Sequence, residues 1–255
     1  MRISGTAVYV LWLREMKRYS RAKSRIVGSL IQPVFFLAFL GLGFSRMAVP
    51  GMGTGVSYIR FLVPGILGMS ILFSSSMQGL SVLWDREFGF LKEIMVAPVS
   101  RLSIVLGRIA GGTTTTLIQT FLVLIPAVAL GFKIASAPGF VLALLFMVLI
   151  AFAFIGLGLI FASRMKDMQG FGLIVNFVIF PLFFLSGALY PLKNLPPVVR
   201  ALSLADPLTY GIDGLRGCLI GAAERPILLD LAALAGFAVL MLVLGAYFFE
   251  KSESV

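Results

Sequence analysis

Six long apolar runs constrain this chain more than any other feature. They lie near Ile26–Phe44, Phe61–Trp84, Ile104–Phe132, Phe140–Phe161, Gly170–Tyr190 and Ile227–Phe249. At about 1.5 Å per residue, a helix of roughly 20 residues covers the ~30 Å hydrocarbon core of a bilayer. With 59% of its 255 residues hydrophobic, the chain is too apolar for a soluble domain. The pattern predicts an all-α polytopic membrane protein with six transmembrane helices. No internal repeat or linker is evident, so residues 1–255 read as a single domain.

Orientation follows from charge. An even number of spans puts both termini on one side. Seven Lys and Arg lie in the N-terminal segment, four between Asp85 and Arg108, two between Ser163 and Gln169 and one in the tail, against seven on the other side. The bias predicts that both termini are cytoplasmic. It also accounts for the net charge of +10 without nucleic acid. The first 25 residues are too basic and too interrupted for a signal-peptide core, so the first apolar run is expected to stay as an anchor. One cysteine, Cys218, and no histidine exclude a Cys/His zinc site, an intrachain disulfide and a His-based triad.

Three segments outside the spans carry distinctive patterns. In residues 1–25, Val8, Leu11, Trp12, Met16 and Tyr19 share one helical side while Arg14, Arg18, Arg21 and Arg25 form a second stripe. This is the pattern of an amphipathic helix lying at the interface, leading as an elbow into the first span, or of a plain basic topogenic tail. The segment Trp84–Arg101 is charged and stands between two apolar runs. Asp85 is expected to cap a short helix, Phe88, Leu91 and Met95 to line one face, and Pro98 to end it. About three turns are marginal alone, so the helix needs a surface: lipid headgroups or a docking partner. Between the fifth and sixth runs, residues 191–220 are too apolar for a free loop and too interrupted for a span. Short helices dipping back into the outer leaflet fit both facts, and a surface-lying external loop is the alternative.

The spans offer little chemistry. Their central portions lack Asp, Glu, Lys and Arg, which disfavours ion- and proton-coupled carriers. There is no GxxxxGK[ST] loop, so the chain has no nucleotide site of that kind. No metal ligands, nucleophile with a base or paired carboxylates stand out in the spans, and no catalytic residue is assigned. Pro33, Pro64, Pro126 and Pro181 fall inside spans, where neighbours must satisfy the freed carbonyls. Gly111-Gly112 followed by Thr113 to Thr116 suggests close helix packing or a substrate-facing wall. With 23 phenylalanines, a path through the chain would be apolar, aromatic and weakly polar, which suits amphiphiles better than ions. Candidates for its lining are Ser75, Gln78, Thr114, Gln119, Asn176 and Phe180.

Two stretches carry a family resemblance. Glu87-Phe88-Gly89-Phe90-Leu91-Lys92-Glu93-Ile94-Met95-Val96-Ala97-Pro98-Val99-Ser100-Arg101 is the first, and Leu185-Ser186-Gly187 through Tyr190-Pro191 to Leu195-Pro196, then Asp206-Pro207-Leu208-Thr209-Tyr210 and Leu215-Arg216, is the second. In this order they resemble the membrane permease subunit of a type-2 ABC transporter, with motifs most similar to those of bacterial drug- and antibiotic-export permeases. The resemblance covers nearly the whole chain.

It implies a permease of the prokaryotic inner membrane that works as a homodimer, or with a similar second permease subunit, among membrane lipids. Two copies of a soluble ATPase subunit would bind ATP and Mg, and this chain would hold no cofactor. Residues 85–101 would be the coupling helix segment, with Asp85, Glu87, Phe88, Gly89, Leu91, Lys92, Glu93, Met95, Pro98 and Arg101 as its coupling residues: Glu87, Lys92 and Glu93 would pair with charges of the ATPase, and Phe88, Leu91 and Met95 would fill its groove. Residues 191–220 would form re-entrant external helices, with Tyr190, Pro191, Pro196, Pro207 and Tyr210 as the external gate. The function implied is ATP-driven export of hydrophobic or amphiphilic molecules such as drugs, lipids or glycolipids. An ATP-independent channel or carrier is the alternative, and a membrane enzyme would depend on a carboxylate such as Asp206 or Asp213.

Overall fold

The computed structural model describes residues 4–44, 57–88, 99–165 and 168–252, with the backbone alone at 86, 87, 101 and 249–252. Among these residues there are helices and no strands. A first helix, α1 (Gly5–Arg21), leads into α2 (Lys23–Phe36) and its π-helical extension Leu37–Leu42. There follow α3 (Tyr58–Glu87), α4 (Arg101–Ala129) and α5 (Ala137–Arg164). The fifth span is broken into α6 (Met168–Ile174), a π-helical turn Val175–Ile179, and α7 (Phe180–Leu185). Two short helices, α8 (Pro197–Ala205) and α9 (Pro207–Ile220), precede α10 (Ile227–Ser252).

Six helical stretches are long and apolar enough to cross a membrane: Lys23–Leu42, Tyr58–Asp85, Leu102–Ala129, Ala137–Arg164, Met168–Leu185 and Ile227–Phe248. The six-span, all-α expectation therefore holds. Its boundaries move where local hydrogen bonding overrides composition. The third span stops at Ala129 rather than Phe132, and the fifth at Leu185 rather than Tyr190. At the latter point Ser186 donates its N–H to the Leu182 carbonyl and its hydroxyl to the Phe183 carbonyl, closing α7 while apolar residues continue.

In a bilayer, lipid tails are as apolar as leucine, so spans associate through close packing rather than through the hydrophobic effect. Here α3 and α5 meet backbone to backbone at Gly79 and Gly158, where a Cβ on Gly79 would come within 2.3 Å of the Gly158 carbonyl oxygen. Further along the two helices Leu62, Ile66 and Leu67 of α3 and Phe146 and Phe154 of α5 are fully buried. By contrast, α2 and the α6–α7 span are thinly covered, leaving Ile31, Phe35, Phe39, Leu173 and Phe177 exposed.

The segment after the fifth span folds into the two short helices. Asp206 caps α9 by accepting the Leu208 N–H, and Pro207 takes the first helical position, where a missing N–H costs nothing. Leu208, Ile212, Leu215 and Leu219 of α9 are buried against α3, α5 and α10. The shorter α8 instead leaves Val198, Leu202 and Leu204 exposed.

The first helix departs from expectation. Its most buried residues are Leu11 and Glu15, which sit against Gly107 and Gly111 of α4, and a Cβ on either glycine would meet them at 2.7 Å. Two small residues four apart make a notch along α4 that admits α1. Consequently Arg14 and Arg18, expected in a single cationic stripe, turn inward to carboxylates, while Arg21 stays exposed.

Candidate functional site

The charged residues converge where α1, α3 and α4 meet, at the end of the bundle that carries Asp85. Trp84 and Asp85 do not begin a new helix. α3 continues to Glu87, and the Phe88 N–H still bonds to the Trp84 carbonyl at 3.0 Å. The expectation that Asp85 caps a separate helix is therefore corrected. Its carboxylate is 7% exposed and is neutralised inside the bundle, which lets α3 run past it. Arg14 donates two hydrogen bonds to it, at 2.8 and 3.3 Å, and Arg108 of α4 donates one at 2.8 Å. Arg18 lies 3.7 Å away and is itself bound to Glu15 at 2.7 Å.

Such a cluster has a cost. Each buried ion loses hydration worth several kcal/mol, and only multiple well-formed bonds offset it. Asp85 has three guanidinium groups around it, whereas Arg108 keeps two nitrogens, Nε and Nη1, buried without a partner. Removing Asp85 would leave three cations facing one another.

Other bonds fasten α1 to α4. The Ser4 N–H donates to Ser103 Oγ at 3.0 Å, and Trp12 Nε1 donates to Thr114 Oγ1 at 3.1 Å. Ser100 caps α4, accepting from the Ser103 N–H at 3.3 Å. Thus the last turn of α3 and the first turns of α4 are both held by α1. Residues 89–98 connect these two helix ends, and of the expected coupling residues Gly89, Leu91, Lys92, Glu93, Met95 and Pro98 lie outside the described residues. Phe88 is 82% exposed, Glu87 ends α3 and Arg101 begins α4.

Sequence reasoning missed Glu15 and the Gly107–Gly111 notch. The available signal was the matched spacing of four on both helices, Leu11 to Glu15 against Gly107 to Gly111.

The residues proposed for a path do not all come together. Gln78 and Gln119 border a cavity of about 210 Å³ between α1, α2, α3 and α4. Gln78 donates to Thr115 at 3.1 Å, and Gln119 accepts from Ser74 at 3.0 Å. Ser75 is fully buried with its hydroxyl unpartnered, and Thr114 is occupied by Trp12. Asn176 is exposed on the π-helical turn, and Phe180 packs edge-on against Phe73 with centroids 4.9 Å apart.

At the opposite end, Arg216 is buried and binds the carbonyls of Gly187 at 2.7 Å and Ala188 at 3.0 Å, with its guanidinium 3.7 Å from the Phe61 ring centroid. Burial pushes its pKa down to about 10. Asp213 accepts the N–H groups of Glu224 and Arg225, at 2.8 and 2.9 Å. Of the expected gate residues, Tyr190 donates to the Phe184 carbonyl and Tyr210 to the Leu204 carbonyl at 2.8 Å. Burial raises the Tyr190 phenol. Pro191 is buried beside the 3₁₀ turn Leu192–Asn194, Pro196 precedes α8, and Pro207 opens α9.

The chain thus carries a clamped helix junction at one end and a fastened short-helix layer at the other. Comparison with known proteins identifies it: residues 6–220 match the ABC-2 type transporter family. The chain belongs to that family. Among similar proteins, the inner membrane transport permease YadH of Escherichia coli is 29% identical over 242 residues, 94% of this chain and 93% of YadH. Nodulation protein J of Sinorhizobium fredii is 28% identical, over 90% of this chain and 87% of its own. The putative transport permease ycf38 of Porphyra purpurea is 30% identical, over 77% and 68%. Membership makes this chain a membrane transport subunit and implies an ATPase subunit as its partner. Six spans and permease relatives fit a multi-pass membrane protein.

Proposed function

We propose that this chain is the membrane-spanning half of an ATP-driven exporter, moving hydrophobic or amphiphilic molecules out of the cytoplasm or its leaflet of the membrane. The observation that carries the proposal is the clamp at Asp85. Force applied by an ATPase to residues 85–101 on the cytoplasmic side reaches both α3 and α4, and the bonds from Arg14 and Ser4 pass it to α1. A loose junction would dissipate that force. In this reading Phe88, Leu91 and Met95 seat in a groove of the ATPase while Glu87, Lys92, Glu93 and Arg101 pair with its charges. ATP and Mg bind in that partner.

The functional unit is a homodimer with two ATPase copies. The thinly covered face of α6–α7 supports this, because it exposes the amide of Asn176 beside Phe177 and Leu173. An amide left in hydrocarbon is costly, and a second copy would satisfy it. On the outer side, α8 and α9 act as the re-entrant gate with Tyr190, Pro191, Pro196, Pro207 and Tyr210.

The test is co-purification with the cognate ATPase and measurement of ATP turnover in proteoliposomes. Phe88→Asp, Leu91→Asp and Met95→Asp together are expected to abolish assembly and reduce turnover to that of the ATPase alone. Unchanged assembly and turnover would overturn the reading. Transport by the chain alone, without ATPase, would favour a channel or carrier.

A further inference from the structure

The cavity between α1, α2 and α3 has a gradient of chemistry along its length. At the α1 end it is bordered by Glu15, Arg18, Tyr19 and Arg25, and at the far end by Met69 and Phe73. Along α3 it extends from Gln78 to Met69, about nine residues or ~13 Å of helix. A site graded from cation to hydrocarbon fits a molecule graded the other way.

The local charges select the sign. Glu15 is matched by Arg18 at 2.7 Å, and Asp85 by Arg14 and Arg108, each at 2.8 Å. Arg25 has no carboxylate within salt-bridge distance among the described residues, so the mouth keeps an excess positive charge. Its guanidinium stands 5.9 Å from the Trp84 ring centroid. A guanidinium with no carboxylate partner can donate two parallel N–H bonds to an oxyanion. Beside it the Tyr19 hydroxyl is buried with no hydrogen-bond partner, a donor in reach of the same space. Gln32, exposed on α2, borders the cavity and gives access from the side of the helix.

We infer that this cavity binds the head of an anionic amphiphile, a phosphate or carboxylate at Arg25 and Tyr19, with the chain running toward Phe73. At about 210 Å³ it is smaller than the ~300 Å³ or more of sites that enclose a drug-sized ligand, so it takes the head and the start of one chain. The rest of the chain lies along the exposed apolar face of α2. The inference deepens the proposed export role and rests on it for the direction of travel. Binding itself requires no ATPase.

The experiment uses the full chain in nanodiscs without ATPase, and as probe a phosphatidylglycerol carrying a photoreactive diazirine in its acyl chain. Crosslinked peptides are mapped by mass spectrometry. Labelling is expected on the Met69–Phe73 stretch and to fall about tenfold in Arg25→Gln, the effect of losing one charge-assisted contact, while Arg25→Lys retains most of it. Labelling around exposed Val243 of α10 reports surrounding lipid and is expected to stay unchanged, which also shows that the variant is folded. Ser70→Phe, which fills the cavity, is expected to abolish the Met69–Phe73 signal. Lauryl phosphate as competitor separates the two sources: displacement marks a site open to free amphiphiles, and no displacement with full Arg25 dependence marks a phospholipid head. Equal labelling by the phosphatidylcholine analogue, or labelling indifferent to Arg25→Gln, would overturn the proposal. Intact labelling together with ATP turnover that the probe leaves unchanged, measured after the ATPase is added back, would count against the export role and leave the binding site standing.

Discussion

Arg14 holds Asp85 through both terminal guanidinium nitrogens, at 2.8 and 3.3 Å, although 71 residues separate them. The pair ties the N-terminal helix to the last turn of α3, and Arg108 brings α4 to the same carboxylate.

The first prediction concerns that carboxylate. Asp85→Leu leaves Arg14, Arg18 and Arg108 without their shared anion, and breaking a buried pair from one side costs roughly 3–5 kcal/mol. Thermal unfolding in detergent is expected to show a large loss in Tm. The double variant Asp85→Leu with Arg108→Met removes a stranded cation as well and is expected to be more stable than Asp85→Leu alone. A cycle of these variants with strict additivity would mean the two residues are not coupled.

A second prediction tests the crossing of α3 and α5. Gly79→Ala places a methyl 2.3 Å from the Gly158 carbonyl oxygen, so the helices must separate. Overpacking of this kind costs about 1–3 kcal/mol. Gly172→Ala, with nothing within 4 Å of its Cβ position, is the control and is expected to leave Tm unchanged.

The six spans were legible in the sequence because hydropathy sums over some 20 residues, and an error of a few positions at either end does not change the sum. The charged junction was not. Asp85 read as the start of a new element because a carboxylate next to an apolar run normally marks the membrane boundary. What overrides that rule is pairing with Arg14 and Arg108, and no local pattern reveals a partner 71 residues away. Arg14 and Arg18 were misread for the same reason: a cationic stripe on a helix looks alike whether headgroups or carboxylates face it. Gln78 and Gln119 stand in the sequence as separate path candidates, and only the fold brings them, with Thr115 in place of the expected Thr114, around one cavity with Arg25.

A third prediction follows from Asp206. Its Oδ1 caps α9, but Oδ2 is buried without a partner, and burial pushes the carboxyl up to about 7. The unfolded chain loses this proton near pH 4 while the folded chain keeps it to about pH 7. Between those values the native state binds more protons, so this residue's contribution to stability falls as pH rises, then levels off above pH 7. The full effect is at most on the order of 4 kcal/mol. Asp206→Asn keeps an oxygen for the Leu208 N–H and has no proton to lose. Melting measured from pH 4 to 8 is expected to show a decline in the parent that is reduced in Asp206→Asn, and parallel curves would refute the assignment.

The last prediction fixes the side on which the junction lies. Phe88 is 82% exposed at the end of α3, and the chain contains one cysteine, Cys218, which is buried in α9. Burial, with the nearby negative charge of Asp230, pushes the Cys218 thiol up to about 11, so little reactive thiolate is present at neutral pH. Phe88→Cys therefore adds a single accessible thiol without removal of the native one. A membrane-impermeant maleimide is expected to label it in inverted vesicles and not in intact cells, and addition of the ATPase is expected to slow the labelling as the groove closes over position 88. Labelling from outside intact cells would reverse the orientation. Fast labelling that the ATPase leaves untouched would remove residue 88 from the contact and, with it, the route by which the clamp at Asp85 receives work.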